Sequence, residues 1–218
     1  MTYSICVRER GAAGHRFGVA AAARVPAVGS VCPHVGDEGA VAVAGVADRD
    51  LGGRCLAALA DGRRLDAVVD EMTDDTADRW QLHGVDAASS AAHTGDDCRP
   101  VAGHHAGDGY TVAGTSMADE EVLDALERGY RENERDAPLA YRLLTALAAG
   151  ERAGGDGRDL PVGSAAVVVR TPGAGPEPLY HDLRVDASET PVADLRETYR
   201  QAKQGYEAAV ERYQTENS

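Results

Sequence analysis

Apolar residues in this chain come first in short, nearly continuous runs, then at helical spacing, and the two patterns alternate to the end. Residues 2–9, TYSICVRE, predict a strand with a small hydroxyl residue, Thr2, at its head. A Gly-containing turn, RGAAGHR, leads to FGVAAAARV at 17–25, so the two runs predict a hairpin. AVGSVCPHV at 27–35 is a third run, stopped by Pro33, and AVAVAGVA at 40–47, after the turn GDEG, is a fourth. Runs this continuously apolar are covered on both faces. The turns between them are too short for helical crossovers, so the strands are expected to be antiparallel and layered.

Residues 51–72 change to helical spacing. Leu51, Cys55, Leu56 and Leu59 form one stripe; Leu65, Val68, Val69 and Met72 form a second; Asp61-Gly62 ends the first helix. Strand patterns return in RWQLHGVDA at 79–87 and SSAAHTG at 89–95, a hairpin whose turn is short of Gly. Asp96 to Gly109 is expected to be a loop, and YTVAGTSM at 110–117 a strand. A helix is predicted over 119–133, with acidic residues in its first turn as the helix dipole favours. Pro138 opens another, which Gly154-Gly155 closes. After a polar loop at 155–163, SAAVVVR at 164–170 is a strand and LYHDLRVD at 179–186 an edge strand. Residues 191–213 form one long amphipathic helix, with Val192, Leu195, Tyr199, Tyr206, Val210 and Tyr213 near one face. That face packs either on its own domain or on a second subunit. The order of strands, two helices, strands, two helices, strands and helix suits two sheets packed face to face with helices outside. It is not the regular alternation of a doubly wound parallel fold.

Composition sharpens this picture. The 218 residues suffice for a sizeable core, and 43% are apolar but only 5% aromatic, so Ala and Val do much of the packing and the layers lie close. No run approaches the roughly 18 apolar residues of a membrane helix. The N-terminus lacks the basic and apolar regions of a signal peptide. The expectation is a soluble, cytoplasmic protein without membrane partners. The net charge of −14, with a single lysine, Lys203, and acidic residues spread along the chain, argues against a nucleic-acid partner, which needs a positive footprint. An acidic, Lys-poor, Ala-rich chain looks halophilic, because salt screens its self-repulsion. Cys6, Cys32, Cys55 and Cys98 form no CxxC pair and read as small buried hydrophobes. His104 and His105 are adjacent, so a strand would point them to opposite faces. No metal and no cofactor are expected.

Candidate chemistry starts at Thr2. Methionine is generally trimmed before small residues, and a Thr with a free α-amine carries its own base. The alternative is that Thr2 merely begins a strand. Cys6 shares its face with Ser4 and Thr2 by strand alternation but lies too far along to be a nucleophile. No P-loop and no GxSxG elbow is present.

TYSICVRE, FGVAAAARVPAVGSVCPHV and GAVAVAGV resemble the opening of the domain-of-unknown-function 1028 family, whose members begin TFSIVARD and continue GVAVAS…AVG.VVPW and GAVATQA. GVDAASSAAHTGDDC, GHHAGDGYTVAG, LAYRLLTALAAGERAGGDGRD, SAAVVV and DLRVDASETPVADLR follow in the right order, so the resemblance covers about 1–196. The family looks like the N-terminal nucleophile (Ntn) hydrolases. The resemblance implies an α+β fold, a four-layer αββα sandwich of two antiparallel sheets with the first strand central, over residues 1–190, and a C-terminal helix over 191–218. It implies hydrolysis of a small amide or related substrate, with Thr2 as nucleophile after Met1 is removed. It offers Ser4, Ser30, His93, Asp156, Arg158 and Ser164 as supporting or substrate-binding residues, with Thr94 a further matched position. The chain departs from the pattern where the family's Thr-Gln falls on Val43 and Ala44, where its Gln and Asn fall on Ala113 and Thr115, and where its Gln before SAA becomes Gly163. Amides are suitable donors around an oxyanion, so their joint loss implies a changed substrate or a degenerate member kept as a binding or assembly protein. The long C-terminal helix makes a homo-oligomer expected.

Overall fold

The computed structural model describes residues 2–11, 14–46, 49–73, 77–98 and 100–216. These form ten strands and five α-helices. In chain order the strands are β1 (Thr2–Gly11), β2 (Gly14–Ala23), β3 (Pro33–Val35), β4 (Gly39–Gly45), β5 (Trp80–Asp86), β6 (Ser90–Thr94), β7 (Ala102–Gly107), β8 (Tyr110–Thr115), β9 (Gly163–Arg170) and β10 (Asp182–Ser188). The helices are α1 (Leu51–Ala60), α2 (Leu65–Met72), α3 (Glu121–Arg131), α4 (Leu139–Arg152) and α5 (Pro191–Glu216).

Two sheets result, one six-stranded in the order β10-β9-β2-β1-β8-β7 and one four-stranded in the order β3-β4-β5-β6. Every pairing among them is antiparallel. Strand alternation distributes β1 between two cores. Tyr3, Ile5 and Val7 face outward into a core shared with α3, α4 and the first turns of α5. Cys6 faces inward and meets Val19, Ala21, Ala40, Ala42 and Val85 between the sheets. On the far side, Val41, Val43 and Leu82 pack against the α1 and α2 stripes, in which Leu51, Cys55, Leu59, Leu65, Val68 and Val69 are buried. The layers therefore run helices, sheet, sheet, helices. The expected αββα sandwich with β1 inside it is borne out.

The structure corrects three local expectations. Residues 28–30 form a 3-10 turn, and Pro33 begins β3 instead of stopping a strand. Proline is tolerated there because β3 is an edge and the first strand position needs no amide. The segment expected as a loop from Asp96 to Gly109 contains β7, a Gly- and His-rich edge strand that its pairing with β8 holds in register. His104 and His105 do point to opposite sides, toward Thr94 and Glu127.

The Gly-poor β5–β6 turn is closed by a side chain. The Asp86 carboxylate accepts from the amides of Ala88 (2.7 Å), Leu65 (2.6 Å) and Ser89 and from the Ser89 hydroxyl (3.0 Å). Burial pushes its pKa up, but these donors prevail and hold it below the ordinary carboxylate value.

The α5 face divides along its length. Val192, Leu195 and Tyr199 are core residues. Tyr199 and Tyr206 stack edgewise on Tyr180, with ring centroids at 5.8 and 5.5 Å. Val210 and Tyr213 are exposed. None of the described helices is long and apolar enough to cross a membrane.

Candidate active site at the head of the first strand

The first strand is central because it hydrogen-bonds on both sides, to β2 and to β8, where Thr2 lies opposite Thr115. Its inward face is unusually polar for a strand in the middle of a fold. Thr2, Ser4, Thr111 and Thr115 on the six-stranded sheet and Gln81 and His83 on the four-stranded one are all buried. Buried polar atoms need partners, and most have them. Ser4 Oγ lies 2.8 Å from His83 Nε2, and Thr111 Oγ1 lies 2.8 Å from His83 Nδ1. Both partners are hydroxyls that can donate or accept, so either neutral tautomer is satisfied. Burial lowers the His83 pKa to about 3, with His104 adding to the effect. Ser4 and His83 thus form a neutral tie between the sheets. Ser4 is fully buried, which leaves its hydroxyl out of reach of a substrate. The Gln81 Nε2 group, with two hydrogens, lies within hydrogen-bond reach of three acceptors, the carbonyls of Gly103 (3.0 Å) and Gly114 (3.2 Å) and Thr94 Oγ1 (2.7 Å). Thr94 Oγ1 is in turn 2.8 Å from His104 Nδ1.

Thr2 is different. It is 6% exposed, and its Oγ1 has no hydrogen-bond partner among the described residues. It sits on a cleft of about 300 Å³, at the lower end of the range for small-molecule sites. One wall is the loop after β2, with Val25, Pro26, Val28 and Val31; another is the end of β4, with Val43, Ala44 and Gly45. Cys32 lines it beside Thr2, and two cations, Arg49 and Arg158, complete it. Burial pushes the Cys32 thiol up to about 11. At neutral pH it is a thiol and a poor nucleophile.

The loop wall is held from behind. Ser164 Oγ donates to the Val25 carbonyl (2.6 Å) and accepts from the Val28 amide (2.8 Å). Between them Ala27 takes a left-handed conformation, φ 64°, which costs a non-Gly residue of order 1 kcal/mol. Asp156 is buried and accepts from the Arg24 amide (2.8 Å) and from Arg158 Nε (2.9 Å), with Arg158 Nη2 also on its carboxylate. One carboxylate thereby joins the strand end at residue 24 to the loop that carries Arg158.

Of the residues implied by resemblance, Thr2, Ser164, Asp156 and Arg158 gather around the cleft. Ser4 lies one inward position below it. Ser30 is exposed and donates to the Ala27 carbonyl (2.8 Å). His93 lies on the outer face of its sheet beside Trp80 (5.2 Å), with Nε2 3.1 Å from the Ala77 carbonyl. Val43 and Ala44 do line the cleft, and Thr115 stands opposite Thr2 with its own Oγ1 unpartnered. A side chain at Gly163 would run into the Ala23 carbonyl. Sequence reasoning missed Arg49, Cys32 and the His83 tie. The alternation of Gln81 and His83 along β5 is a readable signal for an inward polar face; nothing in the spacing around Arg49 marks it. Among the described residues, no group of three or more His, Cys, Asp or Glu side chains is placed to hold a metal ion.

The run of matched segments agrees with a family model that matches residues 2–195, the family of unknown function DUF1028. The chain belongs to this family. Among solved structures it is similar to protein SPO2555 from Silicibacter pomeroyi, a DUF1028 member, at 27% identity and TM-score 0.79, over 92% of this chain and 88% of that one. Weaker likenesses are to BPH of Thiobacillus denitrificans in complex with epoxomicin (14% identity, TM-score 0.41, 77% of this chain and 97% of that one) and to Anbu from Yersinia bercovieri (13%, 0.41, 94% and 97%). Comparison with curated proteins returns no match.

Proposed function

We propose that this DUF1028 protein is an Ntn-type hydrolase of a small amide or related substrate, with Thr2 as nucleophile once Met1 is removed. The observation that carries the reading is the unpartnered, buried Thr2 Oγ1 at the head of the central strand, on a small cleft. The freed α-amine takes the hydroxyl proton as Oγ1 bonds to the substrate carbonyl carbon. The C–N bond then breaks, the proton passes to the leaving amine, and water hydrolyses the ester that remains on Thr2. Asp156 holds Arg158 at the rim, and Ser164 holds the opposite wall.

A second reading, a non-catalytic binding or assembly protein on the same scaffold, is favoured by Val43 and Ala44. They present hydrocarbon to the cleft where the family has Thr-Gln. Intact mass and an amide-hydrolysis screen, run beside Thr2→Ala, separate the two. Turnover abolished by Thr2→Ala supports the first. Retention of Met1, or no turnover of any amide by the unsubstituted protein, removes it and leaves the second; turnover undiminished in the variant refutes both.

The uneven packing of α5 supports assembly through its outer half, which a monomeric mass in high salt by light scattering would refute. The net charge of −14 supports adaptation to salt; a melting temperature that fails to rise with KCl would refute that.

A further inference from the structure

The charge in the Thr2 cleft is opposite to the charge of the protein. The chain carries 36 acidic and 22 basic residues, yet the charged side chains on the described lining are Arg49 and Arg158, with no acidic side chain among them. Arg158 is held by a buried carboxylate that also grips the chain at residue 24. That arrangement fixes where the guanidinium stands. Arg49 is exposed and forms no ion pair with a described carboxylate. The remaining walls are small aliphatic groups, and the unpartnered Thr2 hydroxyl is buried among them.

We infer that the cleft takes a small acyl compound bearing a carboxylate, with its aliphatic part on the Val25–Val31 wall and its carboxylate on Arg158 and Arg49. Arg158 already gives Nε and Nη2 to Asp156, so Arg49 is the bidentate partner and Arg158 adds its positive charge beside it; guanidinium–carboxylate bonds are about twice as strong as neutral ones. The net negative charge of the chain disfavours anions at a distance, so a locally cationic lining also gives selectivity. The amide in this picture rests on the reading of Thr2 as nucleophile; the anion does not.

The test uses the full chain with Thr2→Ala, which binds without turnover. Its ligands are N-acylglycines from acetyl to hexanoyl, their neutral glycinamide counterparts, and inorganic phosphate, with binding measured by calorimetry at two salt concentrations. The acids are expected to bind at least about tenfold more tightly than the amides. That preference should fall to about threefold or less in Arg49→Gln and should weaken with salt. Arg158→Gln should act likewise, and if loss of the Asp156 partner prevents its folding, Arg49→Gln alone decides. Equal binding of acid and amide, no binding of any acid at millimolar concentration, or a preference that survives Arg49→Gln overturns the inference. Phosphate binding as tight as the best acid also overturns it, in favour of a phosphoryl ligand. Turnover by the unsubstituted protein is read separately. Acid binding without turnover removes the nucleophile and keeps the anion site; turnover without acid preference does the reverse.

Discussion

Lowering the pH from 7 to 5 should destabilise this protein through one buried ring. His83 is fully buried, bound to two neutral hydroxyls, and its folded pKa is about 3 against an ordinary 6.5. The unfolded chain therefore binds more protons than the folded one between these values. Stability from this group is complete above 6.5, falls as pH drops below 6.5, and stops falling near 3. At pH 5 the loss is about 2 kcal/mol, roughly 1.4 kcal/mol for each of the 1.5 pH units below 6.5. Urea unfolding at fixed salt, repeated from pH 7 to pH 5, measures it. His104, its pKa lowered chiefly by burial and next by His93, adds a contribution of the same sign. The contribution of His83 is therefore taken as the difference in pH slope between the protein and His83→Gln. Imidazole proton resonances give a second reading, in which the His83 signals stay at their neutral positions down to pH 5 in the folded protein. A His83 resonance that titrates between pH 6 and 7, or a slope unchanged in the variant, would refute the reasoning.

Two further substitutions test how the cleft and its scaffold are held. Ser164→Ala removes both bonds to the Val25–Val28 segment and leaves a carbonyl and an amide unpaired, which should cost about 2–4 kcal/mol in urea unfolding; a cost under about 1 kcal/mol would mean that the wall does not depend on it. Gly84→Ala, in the middle of β5, would place a methyl group against the Ala40 carbonyl and the Val41 side chain. A loss of about 1–3 kcal/mol or more is expected from overpacking, and an unchanged midpoint would show that the β4–β5 pair yields more easily than its contacts imply.

The layers were legible in the sequence because each imposes its own period. Continuous apolar runs mark β1, β2 and β4, which are buried on both faces, and the stripes from Leu51 to Met72 mark helices buried on one. Pro33 misled because proline interrupts a strand centre but not the start of an edge. β7 escaped because Gly and His have little preference for strands and the partner, β8, supplies the order. In the site, Thr2 was marked by its place at the head of the first run and Asp156, Arg158 and Ser164 by resemblance; the fold gathers all four around one cleft. Ser30 and His93 matched equally well, but they stand on other surfaces, since a sequence match does not tell which way a strand or turn faces. The His83 tie was hidden because alternating polar residues usually face water. In a sandwich of two sheets they can face each other instead.

The alanine lining between the sheets has a consequence for how this family can diversify. Ala21, Ala40 and Ala42 meet across the layer with essentially no exposure. A larger side chain there would have to separate the sheets along their whole length. The cleft, by contrast, is walled by the end of β4 and by short segments around residues 25–32, 49 and 158. New specificity can therefore accumulate only around the mouth, one rim residue at a time, while the interior stays fixed. Two members with the same interior can thus hold quite different molecules, and comparison of their rims, not of their cores, is where differences in chemistry should be sought.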